Sequence, residues 1–160
     1  MKSIRYKFIG VIRSPFTEPV GMPVQPTGAR RTRGRVEVAA EYQAGLKDLN
    51  GFSHIILLYH FHRSSGFNLE VTPFLDSRRH GVFATRAPKR PNALGLSVVR
   101  LIGIKGATLI IEGVDVLDGT PLLDIKPYVP EFDHTRSVRV GWLKTAKRRA
   151  RVQKADHRFR

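Results

Sequence analysis

The sequence predicts a mainly β domain, closed or nearly closed into a barrel, followed by a basic and partly helical C-terminal segment. Three observations carry this. Short β-branched and aromatic runs recur at strand length, with turn residues between them. No series of strands alternating with long helices is visible, and no GxGxxG follows a strand, which argues against a doubly wound α/β fold. The length of 160 residues suits one domain with room for a core.

The elements follow in order. "IRYKFIGVIRSPF" (4–16) has strand composition and ends at the turn signal Ser14-Pro15. Residues 17–35 are rich in Pro, Gly and Arg and read as a long exposed loop. "VEVAAEY" (36–42) reads as a short strand, and "QAGLKDLNGF" (43–52) as a short helix or turn. "SHIILLYHFH" (53–62) reads as a buried strand, with Tyr59 and Phe61 on one face and His60 and His62 on the other. Residues 64–81 read as irregular chain and "VFATR" (82–86) as a short strand. "LSVVRLIGIKGATLIIEGVDVL" (96–117) reads as a β-hairpin turning near Lys105-Gly106. A turn at Asp118-Gly119 leads into a last strand. After Trp142 and Leu143 there is little left to bury, and the chain reads as a basic helix fraying into a tail. The predicted division is therefore a barrel over 1–138 and a basic extension over 139–160.

Charge narrows the partners. Lys and Arg number 28 against 13 acids, a net +15. Such a surface favours a polyanion, because each phosphate contact releases counterions. Nucleic acid is the expected partner, with an anionic membrane surface as the alternative. From Lys144 to Arg160 there are eight Lys or Arg residues and one Asp, a phosphate tether or a solvated terminus. The absence of cysteine excludes disulfides, thiolate metal sites and Cys nucleophiles. No apolar run approaches the roughly 18 residues of a membrane span, and the N-terminus lacks a signal-peptide layout. The expected location is the cytoplasm.

Four groups of residues invite a chemical reading. A hydrolase triad has no GxSxG elbow to stand on. His60 and His62 share a predicted strand face, but a third metal ligand among Asp124, Asp133 or His134 cannot be placed, so no metal is expected. "RAPKRPNALGLS" (86–97) is stiffened by Pro88 and Pro91 and carries Asn92 and Gly95. Its Arg86 and Arg90 present planar forks suited to carboxylate or phosphate. It reads either as an anion-binding loop or as a rigid surface turn. In "VDVLDGTP" (114–121), Asp115 and Asp118 flank an apolar pair, either reading an adenosine or closing a turn.

Five ordered blocks sharpen these readings. "IGVIRSPF" (9–16), "PVQP" (23–26), "GFSHIILLYHFH" (51–62), "GVFATRAPKRPNALGLS" (81–97) and "LDGTPLLDIKPYVP" (117–130) together resemble the TrmO family, also called TsaA-like or YaeB-like proteins. Ala87, Lys89 and Ala93 depart from its commonest loop residues. The resemblance implies a small antiparallel β-barrel, usually a homodimer, that binds S-adenosylmethionine. It implies methylation of N6 of threonylcarbamoyladenosine at position 37 of tRNA. Other functions on the same fold are RNA binding without methyl transfer, or methyl transfer to another substrate. By position, the resemblance assigns cofactor contacts to Pro23, Val24, Gln25, His62, Arg63, Arg86 and Leu96, and to Asp115, Val116, Leu117 and Asp118. Arg90, Asn92 and His62 become the catalytic candidates. Within this reading Arg86 suits the cofactor and Arg90 the substrate. The acceptor is a ureido N–H with a delocalised lone pair, so alignment and proton removal are the expected tasks. A buried aspartate or His62 is the expected base.

Overall fold

The computed structural model describes residues 3–23, 29, 31–135, 137–144 and 154–157. Six strands close into an antiparallel barrel: β1 (Gly10–Arg13), β2 (Arg33–Val38), β3 (His54–His60), β6 (Leu94–Lys105), β7 (Thr108–Glu112) and β8 (Thr120–Pro127). Their order around the wall is β1-β2-β7-β6-β3-β8, and β8 pairs back onto β1. Two further strands, β4 (Glu70–Val71) and β5 (His80–Gly81), form a separate ribbon.

Alternation explains the core. In β3, Ile55, Leu57 and Tyr59 point inward while their neighbours point out. Ile12, Val36, Val99, Leu109, Ile111 and Leu122 meet them in one buried cluster. Closure leaves the wall without free edges. A smaller cluster of Val71, Val82 and Ala87 sits beneath the ribbon.

Strand β6 decides where the barrel opens. Its first half, to Arg100, pairs with β3; from Arg100 onward it pairs with β7. Beyond the Arg100–Glu112 pair, β7 stops and Gly113 turns the chain away at φ 92°. Residues 113–118 then cross irregularly beside Gly95 and Ser97, tied to the strand by a hydrogen bond from Ser97 to Asp115. A register shift between Leu58 and Tyr59 in the β3–β8 pairing lies at the same end, where bulges commonly re-aim side chains.

Several local readings change in the structure. Only Gly10–Arg13 of the first predicted strand pairs, while residues 3–8 have no strand partner. Strand β2 starts at Arg33, inside the predicted loop, because a barrel neighbour on each side satisfies its backbone. "VFATR" folds as the 3-10 turn Val82–Ala84, and Thr85 closes it by donating Oγ1 to the Val82 carbonyl at 2.8 Å. The irregular 64–81 stretch contributes the ribbon, whose two-residue strands are too short to show a period. The segment after 138 shows a 3-10 turn at Gly141–Lys144; residues 145–153 of the predicted helix lie outside the described residues.

Candidate functional site

The open end of the barrel holds a cavity of about 870 Å³, toward the upper end of the range for small-molecule sites. Strand β6 supplies Leu94, Gly95 and Leu96, and the 113–118 crossing supplies Asp115, Val116 and Leu117. The 83–92 loop, the end of β3 and the C-terminal segment complete it.

Its floor is a hydrogen-bonded series. Ser97 Oγ donates to Asp115 Oδ1 at 2.7 Å. Ser97 has one proton, so Tyr59 donates its hydroxyl to Ser97 Oγ at 3.0 Å when Asp115 is ionised. Burial pushes the Asp115 carboxyl up to about 6, although the Ser97 bond and the nearby Arg86 charge pull it down. Burial likewise pushes the Tyr59 phenol above its ordinary value. Asp115 is thus enclosed, yet it keeps a face on the cavity. Such a carboxylate, titrating close to neutrality, suits proton transfer.

Space for Tyr59 comes from Gly95 directly across the strand pair. A Cβ at Gly95 would overlap the Tyr59 ring. Phe61 meets the same ring edge-on at 5.5 Å.

The two arginines of the 86–97 loop are placed differently. Arg86 is exposed at the cavity, and its charge acts on both Asp115 and Tyr59. Arg90 turns one guanidinium nitrogen back into the loop. That nitrogen donates to the carbonyls of Thr85 at 3.0 Å, Ala87 at 3.2 Å and Val82 at 3.4 Å. Arg90 therefore braces the loop backbone while also lining the cavity. Asn92 lines it too.

His62 lies just beyond the end of β3. Thr120 donates its hydroxyl to the Leu117 carbonyl at 2.7 Å, so His62 Nδ1 donates to Thr120 Oγ1 at 3.4 Å. That leaves Nε2 as the acceptor. Burial first, then the charges of Arg63 and His60, hold the imidazole below its ordinary pKa, so it is neutral at pH 7. Arg63 donates to the Thr17 carbonyl at 2.9 Å and pins the 14–23 loop to the rim. His60 does not share the cavity with His62, because β3 ends between them. Among the described residues no three His, Asp or Glu side chains gather as a metal site.

Of the sequence-derived candidates, Pro23, His62, Arg63, Arg86, Arg90, Asn92, Leu96, Asp115, Val116 and Leu117 come together around this cavity. Asp118 does not line it. Its carboxylate accepts from the Ser14 N–H at 3.1 Å and lies 3.7 Å from Arg13. Val24 and Gln25 lie outside the described residues.

Sequence reasoning missed Tyr59 and Ser97 as functional residues, since inward-pointing strand positions read as core. It also missed the C-terminal contribution. Ala155 donates to the Met22 carbonyl and accepts from Gly21 N–H, both at 2.8 Å, and Ala155 and Asp156 reach the cavity. Trp142 reaches it as well.

Comparison with known proteins converges on one family. Residues 11–134 match the tRNA-methyltransferase O N-terminal domain. A Pyrococcus abyssi protein named "Probable S-adenosyl-L-methionine-binding protein" is 54% identical over 156 residues, covering 98% of this chain and 85% of that one. A mouse tRNA (adenine(37)-N6)-methyltransferase is 35% identical over 139 residues, covering 82% of this chain and 32% of that one. The crystal structure of TrmO from Pseudomonas aeruginosa superposes with a TM-score of 0.74 at 41% identity, over 88% of this chain and 63% of that one. The chain thus spans less than two thirds of the solved relative and about a third of the mouse one.

Proposed function

The chain belongs to the tRNA-methyltransferase O family, and from that premise we propose that it transfers a methyl group from S-adenosylmethionine to N6 of threonylcarbamoyladenosine at position 37 of tRNA. The observation that carries this reading is the enclosed Asp115, held by Ser97 and Tyr59 at the floor of a cavity within the family-matched region.

The residues fit the cofactor. Leu96, Val116 and Leu117 give apolar walls for an adenosine, and Arg86 gives a fork for an amino-acid carboxylate. When bound, S-adenosylmethionine supplies a methyl group already activated by the sulfonium charge. The chain then has four tasks. The walls and Arg86 align donor and acceptor, converting an encounter into an oriented approach. Asp115 accepts the N6 proton as the nitrogen attacks, and Ser97 and Tyr59 hold the developing carboxylic acid in place. Arg90 keeps the loop rigid through its three carbonyl contacts. His62 Nε2, neutral and accepting, orients a hydroxyl or amine donor at the rim.

Partner and architecture belong to the same proposal. tRNA is the polyanion that the net +15 surface suits. Homodimer formation is supported by Ile4, Tyr6 and Phe8, large apolar side chains close together in the chain and exposed at 77%, 70% and 63%. The barrel of 1–138 carries the chemistry, and the extension of 139–160 serves the same cavity through Trp142, Leu143, Ala155 and Asp156. No helix among the described residues is long and apolar enough to cross a membrane. A cytoplasmic location follows from the substrate.

The test is incubation of the protein with methyl-labelled cofactor and tRNA, with and without the threonylcarbamoyl group. Label should enter only the modified tRNA, at N6. Equal label in both tRNAs, or none in either, overturns the assignment.

A further inference from the structure

Trp142 is the only tryptophan of the chain, and it lies beyond the family-matched residues 11–134. It is held with unusual care for a residue of a C-terminal segment. Its ring stacks on His80 at 4.4 Å with planes 19° apart. Its Nε1 donates to the Ala84 carbonyl at 2.8 Å. His80 in turn donates Nε2 to Asp76 Oδ2 at 3.0 Å, and Asp76 also accepts from the Ser77 and Arg78 backbone. With its ring stacked on His80 and the indole N–H committed, Trp142 is fixed in place where it lines the cavity. Phe83, beside the accepting Ala84, also lines the cavity and is 76% exposed. Arg78 and Arg79, next to His80 in the chain, have side chains 76% and 69% exposed and pair with Asp76 at 3.5 Å and Glu70 at 3.4 Å, and Lys144, two residues after Trp142, is exposed.

A fixed aromatic face beside a second aromatic and a basic rim is the composition that grips unstacked bases. Every base offers a π-face, and the phosphates follow the positive charge. We propose that Trp142, with Phe83, is the platform on which a nucleobase of the anticodon loop stacks beside the methyl acceptor, an inference that rests on the function proposed above. The adenine of the cofactor is the less suited occupant. The apolar walls that fit an adenosine lie at Leu96, Val116 and Leu117, whereas Phe83 is largely exposed and Trp142 comes from the C-terminal segment outside the family-matched region. Trp142 and Phe83 thereby act in substrate binding and not in the transfer step.

The single tryptophan makes the test direct. Trp142 emission is followed as the full chain is titrated with S-adenosylhomocysteine, and then with an anticodon stem–loop RNA. The RNA should quench the emission saturably, and the cofactor product should leave it nearly unchanged. Trp142→Ala and, separately, Phe83→Ala should each weaken RNA binding about tenfold. S-adenosylhomocysteine affinity by calorimetry should hold in both. Phe83 is so exposed that its truncation leaves the fold intact, which covers the case in which Trp142→Ala loosens the C-terminal segment. Unchanged RNA affinity in Phe83→Ala and Trp142→Ala, or quenching that saturates with S-adenosylhomocysteine alone, overturns the platform. If the parent chain fails to bind S-adenosylhomocysteine, the methyl-transfer reading falls and the RNA titration decides the platform by itself.

Discussion

Asp115 concentrates the chemistry at the scale of the residue. Burial raises its carboxyl to about 6, and one hydroxyl neighbour stabilises the ionised form. The folded pKa lies above the ordinary value, so the ionised group opposes folding above pH 6. That opposition fades as the pH falls from about 6 toward 4, where the folded chain takes up a proton the unfolded chain does not. Asp115→Asn keeps an oxygen acceptor for Ser97 while removing the charge. The variant should therefore melt higher than the parent at pH 8, with the difference shrinking as the pH falls through 6. Methyl transfer should meanwhile drop by roughly 10²–10⁴. Thermal melts across pH, paired with a single-turnover assay, check both halves. A variant that gains no stability at pH 8 would show that the carboxylate is well solvated.

Strand β6 and the loop before it form the unit that builds the site. The loop is rigid because Arg90 satisfies three of its carbonyls from one nitrogen, and Phe61 N–H reaches the Ala93 carbonyl at 2.8 Å. The strand then admits Tyr59 only because Gly95 has no side chain. Gly95→Ala forces the Tyr59 ring aside and breaks its bond to Ser97. The expected cost is about 1–3 kcal/mol from overpacking, measured as a lowered denaturation midpoint. The same variant should lose S-adenosylhomocysteine affinity in calorimetry, because the floor moves. Full retention of both stability and affinity would mean that β3 shifts to make room.

Across the whole molecule, charge and closure act together. A net +15 is a long-range property that no single contact explains. If roughly six phosphates are neutralised, tRNA affinity should fall on the order of 10³-fold between 50 and 200 mM salt. Filter binding across that range measures the slope, and a flat profile would remove the electrostatic role. The C-terminal segment adds to closure as well as to charge, since Ala155 pairs with both Gly21 and Met22 at the cavity rim.

Sequence and tertiary structure divide this protein along a physical line. Sequence by itself determined what is local or ordered along the chain. Period-two alternation in "HIILLYH" marked the inward row, turn residues marked the hairpins, and five motif blocks marked the family. The basic excess pointed to a phosphate-rich partner. Tertiary structure alone decided which distant residues meet. Tyr59 and Ser97 are 38 positions apart, and Ser97 and Asp115 are 18 apart; barrel register and the early end of β7 bring them into one series. It also turned Arg90 inward upon its own loop and placed Asp118 with Ser14 and Arg13 rather than at the cavity. It returned Trp142 to His80 and Ala84, across 58 positions for the hydrogen bond. Alternation is set by the geometry of neighbouring peptide units, so it can be read from a short window. Closure and the docking of a terminus depend on pairings between remote segments, which leave no period in any window of the sequence.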